Sequence, residues 1–294
     1  MEKKFFEAPT IHVEEVNINV RDLSNSLLFY EGIMGFQVLE QSEQKAVLTA
    51  DGKRPILTLE QPKDVTPKQQ RTTGLYHFAI LLPSRADLAA FLKHFIQTGL
   101  ADRLGFGASD HVVSEALYFS DPDGNGIEIA HDRPSSAWDW TNSQVTMRTD
   151  PLDAEGILAE QKEEWQGMPA NTLMGHIHLH VADLDAAEKF YIDGLGFDIV
   201  TKYPGALFTS HNGYHHHVAV NVWSGIGAPR PLANSIGLNW YSLVFPDEAT
   251  RKKTIDQLEQ IGADVTNEND AYMTEDQLVT NKINCTFLIG LHKS

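Results

Sequence analysis

Residues 15–36, EVNINVRDLSNSLLFYEGIMGF, align without a gap on residues 176–197, HIHLHVADLDAAEKFYIDGLGF, 161 positions further on. Val20/Val181, Asp22/Asp183, Leu23/Leu184, Phe29/Phe190, Tyr30/Tyr191, Gly35/Gly196 and Phe36/Phe197 coincide, and the same offset returns where Asp51-Gly52 meets Asn212-Gly213. A second pair, GLYHFAILLP (74–83) and GLNWYSLVFP (237–246), matches at an offset of 163, each followed by a helical run. The chain is therefore four copies of one unit. Such a repeat constrains the fold strongly, because each copy must be one supersecondary unit that buries its apolar face only against another.

Every unit opens with alternating apolar residues, as in a half-buried strand. Asp22 and Asp183 then stand where a helix N-cap belongs, and Leu27, Leu28 and Tyr30, or Ala187, Phe190 and Tyr191, follow at helical spacing. Gly-Phe closes the helix, and three short strands follow, broken by turns such as Asp51-Gly52. The unit reads βαβββ. At 294 residues the chain is too long for one ordinary domain and sufficient for two. The expected division is a first domain at 1–134, a linker at 135–172 in which PLDAEGILAEQKEEW reads as a helix, and a second domain at 173–294.

Lys and Arg total 23 against 40 Asp and Glu, a formal charge of −17 spread over both halves. A surface of that sign argues against nucleic acid and anionic membranes as partners. The one cysteine, Cys285, excludes an intramolecular disulfide framework and a thiolate zinc cluster. The opening MEKKFFEAPTIHVEE lacks the apolar run of a signal peptide, and no uncharged apolar stretch approaches 18 residues. These features make the cytoplasm the expected location.

VRDLSNSLLFY, VADLDAAEKFY, DPDGNGIEI and NGYHHHVAVNVW together resemble the vicinal-oxygen-chelate superfamily, which includes glyoxalase I, bleomycin-resistance proteins and extradiol dioxygenases. Within it the chain is most similar to the catechol-2,3-dioxygenase type, from about residue 12 to the mid-270s. The resemblance implies an α+β fold in which the four βαβββ modules pair into two incomplete-barrel domains. It also implies a metal site on the first and last strands of modules, made of two histidines and one carboxylate with positions left open for catecholate and dioxygen.

Carried over by position, His77 opens the second module where a ligand histidine is expected, and Glu128 in DPDGNGIE takes the carboxylate place. Glu15 holds the first-module position, where ring-cleaving enzymes have histidine. The implied metal set is thus His77, Glu128 and Glu15, whose extra negative charge suits Fe²⁺ or the harder Mn²⁺. Tyr118, ten residues before Glu128, resembles the tyrosine that meets the catechol oxygen, and His111 lies near the strand supplying an acid-base histidine. In the second half His176 holds the ligand position. The run HHHVAVNV, read as a strand, puts His215 and His217 on one face and His216 on the other, with His217 free to face His176. Trp240 and Asn284 stand where a histidine and a carboxylate would be needed, so this half reads as a worn copy. Each of these histidines is also compatible with an ordinary hydrogen-bonded core residue.

The resemblance implies a divalent-metal enzyme, Fe²⁺ first and Mn²⁺ second, that cleaves a catechol-like ring with O₂. It leaves open self-association, a glyoxalase-like isomerase or lyase, which Glu15 would favour, and a metal-free small-molecule binder, since one scaffold hosts all three.

Overall fold

A computed structural model describes residues 2–268, 271–275 and 282–287. The first module contains β1 (His12–Asn19), α1 (Leu23–Gly32), β2 (Gln37–Gln41), β3 (Lys45–Thr49) and β4 (Pro55–Glu60). The second contains β5 (Gly74–Leu81), α2 (Arg85–Thr98), β6 (Gly107–Asp110), β7 (Ser114–Ser120) and β8 (Gly126–Asp132). A linker with the small strands β9 (Trp140–Thr141) and β10 (Gln144–Val145) and the helix α3 (Ala154–Leu158) leads onward. The third module is β11 (Leu173–His180), α4 (Leu184–Glu188), β12 (Asp198–Tyr203), β13 (Ala206–Ser210) and β14 (Val218–Asn221). The fourth is β15 (Gly237–Phe245), α5 (Glu248–Gln260), β16 (Val265–Glu268), β17 (Ala271–Glu275) and β18 (Lys282–Phe287). The fold is the expected α+β arrangement of four βαβββ modules, and β11 follows β1 at the repeat offset of 161.

The helix caps follow the sequence. Asp22 and Asp183 adopt extended backbone and accept hydrogen bonds from the amides of Asn25 and Ala186, satisfying donors that a helix start leaves orphaned. The two copies then differ: α4 runs into a π-helical turn over Lys189–Gly194, whereas α1 stays regular to Gly32. In α1 Leu27 and Tyr30 are buried, but Leu28, read as apolar-face, is 74% exposed.

The linker helix is far shorter than PLDAEGILAEQKEEW suggests. Arg85 donates to the carbonyl of Gly156 and to the carboxylate of Glu160, and the Glu160 amide bonds Ile157 instead of the fourth residue back. The guanidinium therefore takes an acceptor that a continuing helix would need.

The module pairing departs from the expectation that each sequence half closes its own sheet. One eight-stranded sheet has the order β12-β13-β14-β11-β5-β8-β7-β6, and the other β16-β17-β18-β15-β1-β4-β3-β2. Module two is thus joined to module three by antiparallel β5 and β11, and module one to module four by antiparallel β1 and β15. The halves 1–134 and 173–294 are segments of sequence, but neither is a sheet. The physical reason is that each module presents the same unpaired edge at its first strand, and any other module can satisfy those backbone groups. One hydrophobic core then runs through all four modules, including Tyr30, Phe78, Tyr191 and Tyr241.

Candidate metal centre

The sheet of modules two and three sets up the site in adjacent strands. Ala79 on β5 pairs with His176 on β11 and with Glu128 on β8. Alternation puts His77, two residues earlier on β5, on the same face as Ala79. A methyl group at the centre of that row leaves space between the longer side chains. His77, Glu128 and His176 are all buried. Their ligand atoms converge: Glu128 Oε2 lies 3.1 Å from His77 Nε2 and 3.1 Å from His176 Nε2, and the two Nε2 atoms are 3.4 Å apart. Among the described residues these three form a group able to hold one metal ion.

The turn before β8 aims Glu128. Asp121 accepts from the amides of Asp123 and Asn125, from the Asn125 side chain and from the Tyr30 hydroxyl. Gly126 then lets β8 approach β5, since a Cβ there would lie 2.1 Å from the Tyr76 carbonyl oxygen. Burial alone would raise the Glu128 carboxyl, but the charge and hydrogen bonds of His176 and His77 outweigh it and hold the group well below the usual range. Burial lowers His77, Glu128 opposing. An anionic oxygen beside a neutral imidazole suits a divalent cation.

Glu15 is not part of this centre. It lies on β1 in the other sheet, where Thr58 donates to its Oε1 at 2.5 Å and its backbone amide donates to Ser242 Oγ. Burial raises its carboxyl in spite of the Thr58 bond. Position along the repeat correctly equated Glu15 with His176; the pairing of modules two and three is what makes His176 the third member. His176 and His217 likewise form no second site, because His217 Nε2 lies 3.2 Å from the Phe5 carbonyl oxygen. The Asn284 side chain lies outside the described residues.

Tyr118 pairs with Glu128 across β7 and β8. Its hydroxyl is 2.6 Å from His111 Nε2, while His111 Nδ1 is 2.6 Å from the Arg148 carbonyl oxygen. A carbonyl only accepts, so the His111 proton sits on Nδ1, and the single phenol proton has two acceptors within reach, His111 Nε2 and the Glu128 carboxylate. Burial first, then the Glu128 charge, raises the Tyr118 phenol well above its usual value, so it stays protonated. Both residues line a cavity of about 260 Å³ with His77, Glu128, His178, His216, Tyr76 and Trp223.

His216 was not expected there. Reading HHHVAVNV as one strand turned it away from the site, but β14 begins only at Val218, so strict alternation does not govern the preceding residues. The His216 ring sits 4.0 Å, centroid to centroid, from that of His176. Its Nδ1 is 2.8 Å from His215 Nδ1, and His215 Nε2 is 3.0 Å from Asp132 Oδ1. Nε2 of His216 makes no hydrogen bond to any described residue and is left to the cavity. Burial, reinforced by the neighbouring histidines, holds His216 well below its usual value. Only the tripled histidine signalled this wall in the sequence.

Two histidines and a carboxylate, buried on paired βαβββ modules beside an aromatic cavity, form a candidate metal centre on a half-barrel scaffold. The chain belongs to the Glyoxalase/Bleomycin resistance protein/Dioxygenase superfamily, whose family model matches residues 12–129 and 173–284. It is 44% identical over 270 residues to a catechol-2,3-dioxygenase of Bacillus subtilis, covering 90% of this chain and 93% of that protein. Among solved structures it is similar to a putative dioxygenase of Bacillus subtilis, with a TM-score of 0.65 at 13% identity over 96% of this chain and 86% of the other. It is also similar to glyoxalase I of Zea mays, with a TM-score of 0.52 at 14% identity over 94% and 92%. Identities this low bear on fold alone. Among the described residues no helix is long and apolar enough to cross a membrane.

Proposed function

We propose that the protein is an extradiol-type dioxygenase that cleaves a catechol-like aromatic ring, with a divalent metal, Fe²⁺ before Mn²⁺, held by His77, Glu128 and His176. The observation that carries this reading is the convergence of those three side chains on one point beside a small aromatic-walled cavity. Two neutral-type nitrogen ligands and one oxygen ligand fit such an ion and leave coordination positions for others. When bound, the metal acts as a template and Lewis acid for the two vicinal ring oxygens and O₂.

The chain's own groups divide the remaining work. The cavity is below the roughly 300 Å³ at which drug-sized sites begin, so it suits a single ring. Tyr76, Phe208 and Trp223 give that ring flat apolar walls. His216 Nε2, the open nitrogen beside His176, takes a proton from a ring hydroxyl. The Tyr118 phenol, kept protonated by burial and Glu128, has one proton to give, so it holds a ring oxygen or returns a proton by turning that proton away from His111 Nε2. His111 Nε2 orients that phenol from behind. The isomerase alternative loses its support, because Glu15, the extra carboxylate that favoured it, is in the other sheet.

The test is anaerobic loading with Fe²⁺, followed by oxygen consumption and the absorbance of ring-fission product from catechols. Stoichiometric oxygen uptake is expected with the native protein. Tyr118→Phe is expected to keep its metal while kcat falls roughly 10²–10⁴-fold, the usual scale of a proton-transfer group. No oxygen uptake by fully metal-loaded native protein with any catechol would remove the reading.

A further inference from the structure

The cavity wall opposite Tyr118 carries an imidazole whose proton position is fixed by its neighbours. The backbone amide of Trp223 lies 3.0 Å from Asn221 Oδ1, and because a backbone N–H only donates, the side-chain atom facing it is the oxygen. The same oxygen is 2.7 Å from His180 Nδ1, which donates to it. The Asn221 amide nitrogen therefore faces His178 Nε2 at 2.9 Å. An amide NH₂ only donates, so Nε2 of His178 accepts and the ring carries its single proton on Nδ1.

That Nδ1–H has no hydrogen-bond partner among the described residues, and His178 is 3% exposed. Its ring is walled by Tyr76, Trp223 and Phe208 at centroid distances of 5.0, 5.3 and 5.6 Å, none of which supplies an acceptor to it. A donor that the protein leaves unpaired in a mostly buried ring is open to an acceptor brought by a ligand. His178 lines the same cavity as His77 and Glu128, its ring centroid 5.1 Å from that of His77, on a strand position two residues beyond His176.

We propose that His178 determines specificity: its Nδ1–H donates to an sp² oxygen, carboxylate or carbonyl, borne as a ring substituent by the catechol-like ligand, and Asn221 is the positioning residue that fixes the donor. The proposal rests on the dioxygenase reading and names the substrate class for that site. The aromatic slot places the donor against the edge of a ring whose vicinal oxygens face His77, Glu128 and His176.

The experiment uses the Fe²⁺-loaded full chain under anaerobic conditions. Calorimetry gives Kd for 3,4-dihydroxybenzoate, 3,4-dihydroxybenzaldehyde and 4-methylcatechol. The native protein is expected to bind the two oxygen-bearing probes roughly tenfold more tightly than 4-methylcatechol, the scale of one well-made hydrogen bond. His178→Phe should abolish that ratio, and His178→Gln, which retains a donor, should restore part of it. Asn221→Asp keeps shape but offers His178 only acceptor oxygens, so the His178 proton should move to Nε2. The ratio should then fall below one for the carboxylate probe. Histidine ¹⁵N spectra read the tautomer directly in native and Asn221→Asp protein, independently of turnover. Binding of all three probes with the ratio unchanged in His178→Phe and Asn221→Asp would overturn the proposal alone, as would a native His178 protonated on Nε2. Binding of none of them by the native protein would instead remove the dioxygenase reading on which the proposal stands.

Discussion

Replacing His176 by Ala tests the metal centre at the residue that tertiary pairing supplies. His176 Nε2 is one of two nitrogens 3.1 Å from Glu128 Oε2, and the substitution leaves that buried carboxylate with His77 as its one imidazole, beside the Tyr118 phenol. Four-ligand structural zinc sites bind with about 10–16 kcal/mol, or about 3 kcal/mol per ligand. At 1.4 kcal/mol per tenfold, losing one ligand should raise the metal Kd by roughly 100-fold or more. Chelator competition with Fe²⁺ under anaerobic conditions, and metal content after desalting, measure this against Glu15→Ala, which should retain metal at the native level. A His176→Ala protein whose Kd stays within threefold of native, or a Glu15→Ala protein that empties, would refute the three-residue centre.

Acidification should destabilise the metal-free protein in a defined window. Burial lowers His12, His77, His178, His216 and His217. Folded values below the unfolded one mean stability present above about pH 6.5 and lost as pH falls through it, at most about 1.4 kcal/mol per histidine per pH unit. The urea midpoint should drop clearly between pH 7.5 and 5.5, and a flat midpoint would contradict the buried-neutral assignment. Glu15→Gln should act oppositely in sign: burial raises the carboxyl, so its charged form penalises the native state above the ordinary carboxylate range. Tm should rise at pH 7 and the gain should shrink towards pH 4, as differential scanning fluorimetry can follow. Gly126→Ala should drive a Cβ into the Tyr76 carbonyl, 2.1 Å away, costing about 1–3 kcal/mol by overpacking and weakening metal binding; unchanged Tm and Kd would show that β8 moves freely.

The sequence by itself determined the module and its local signals. Apolar alternation, Asp at the N-caps and positive-φ glycines at the turns, such as Gly35 and Gly196, act within a few residues, so they read directly. It also determined His77, Glu128, Tyr118 and His111 as neighbours, because all four lie in one module, where strand register follows from the repeat and the Asp121 turn. The tertiary structure alone decided which modules meet. All four offer equivalent first-strand edges, and hydrogen-bonding groups on an edge carry no address. With β5 beside β11, the third member of the centre is His176; with β5 beside β1, it would have been Glu15. His216 escaped for a different reason: its direction is set by the adjacent His215, itself held by the distant Asp132, and by the distant His176, rather than by the period-2 rule that holds only from Val218 onward.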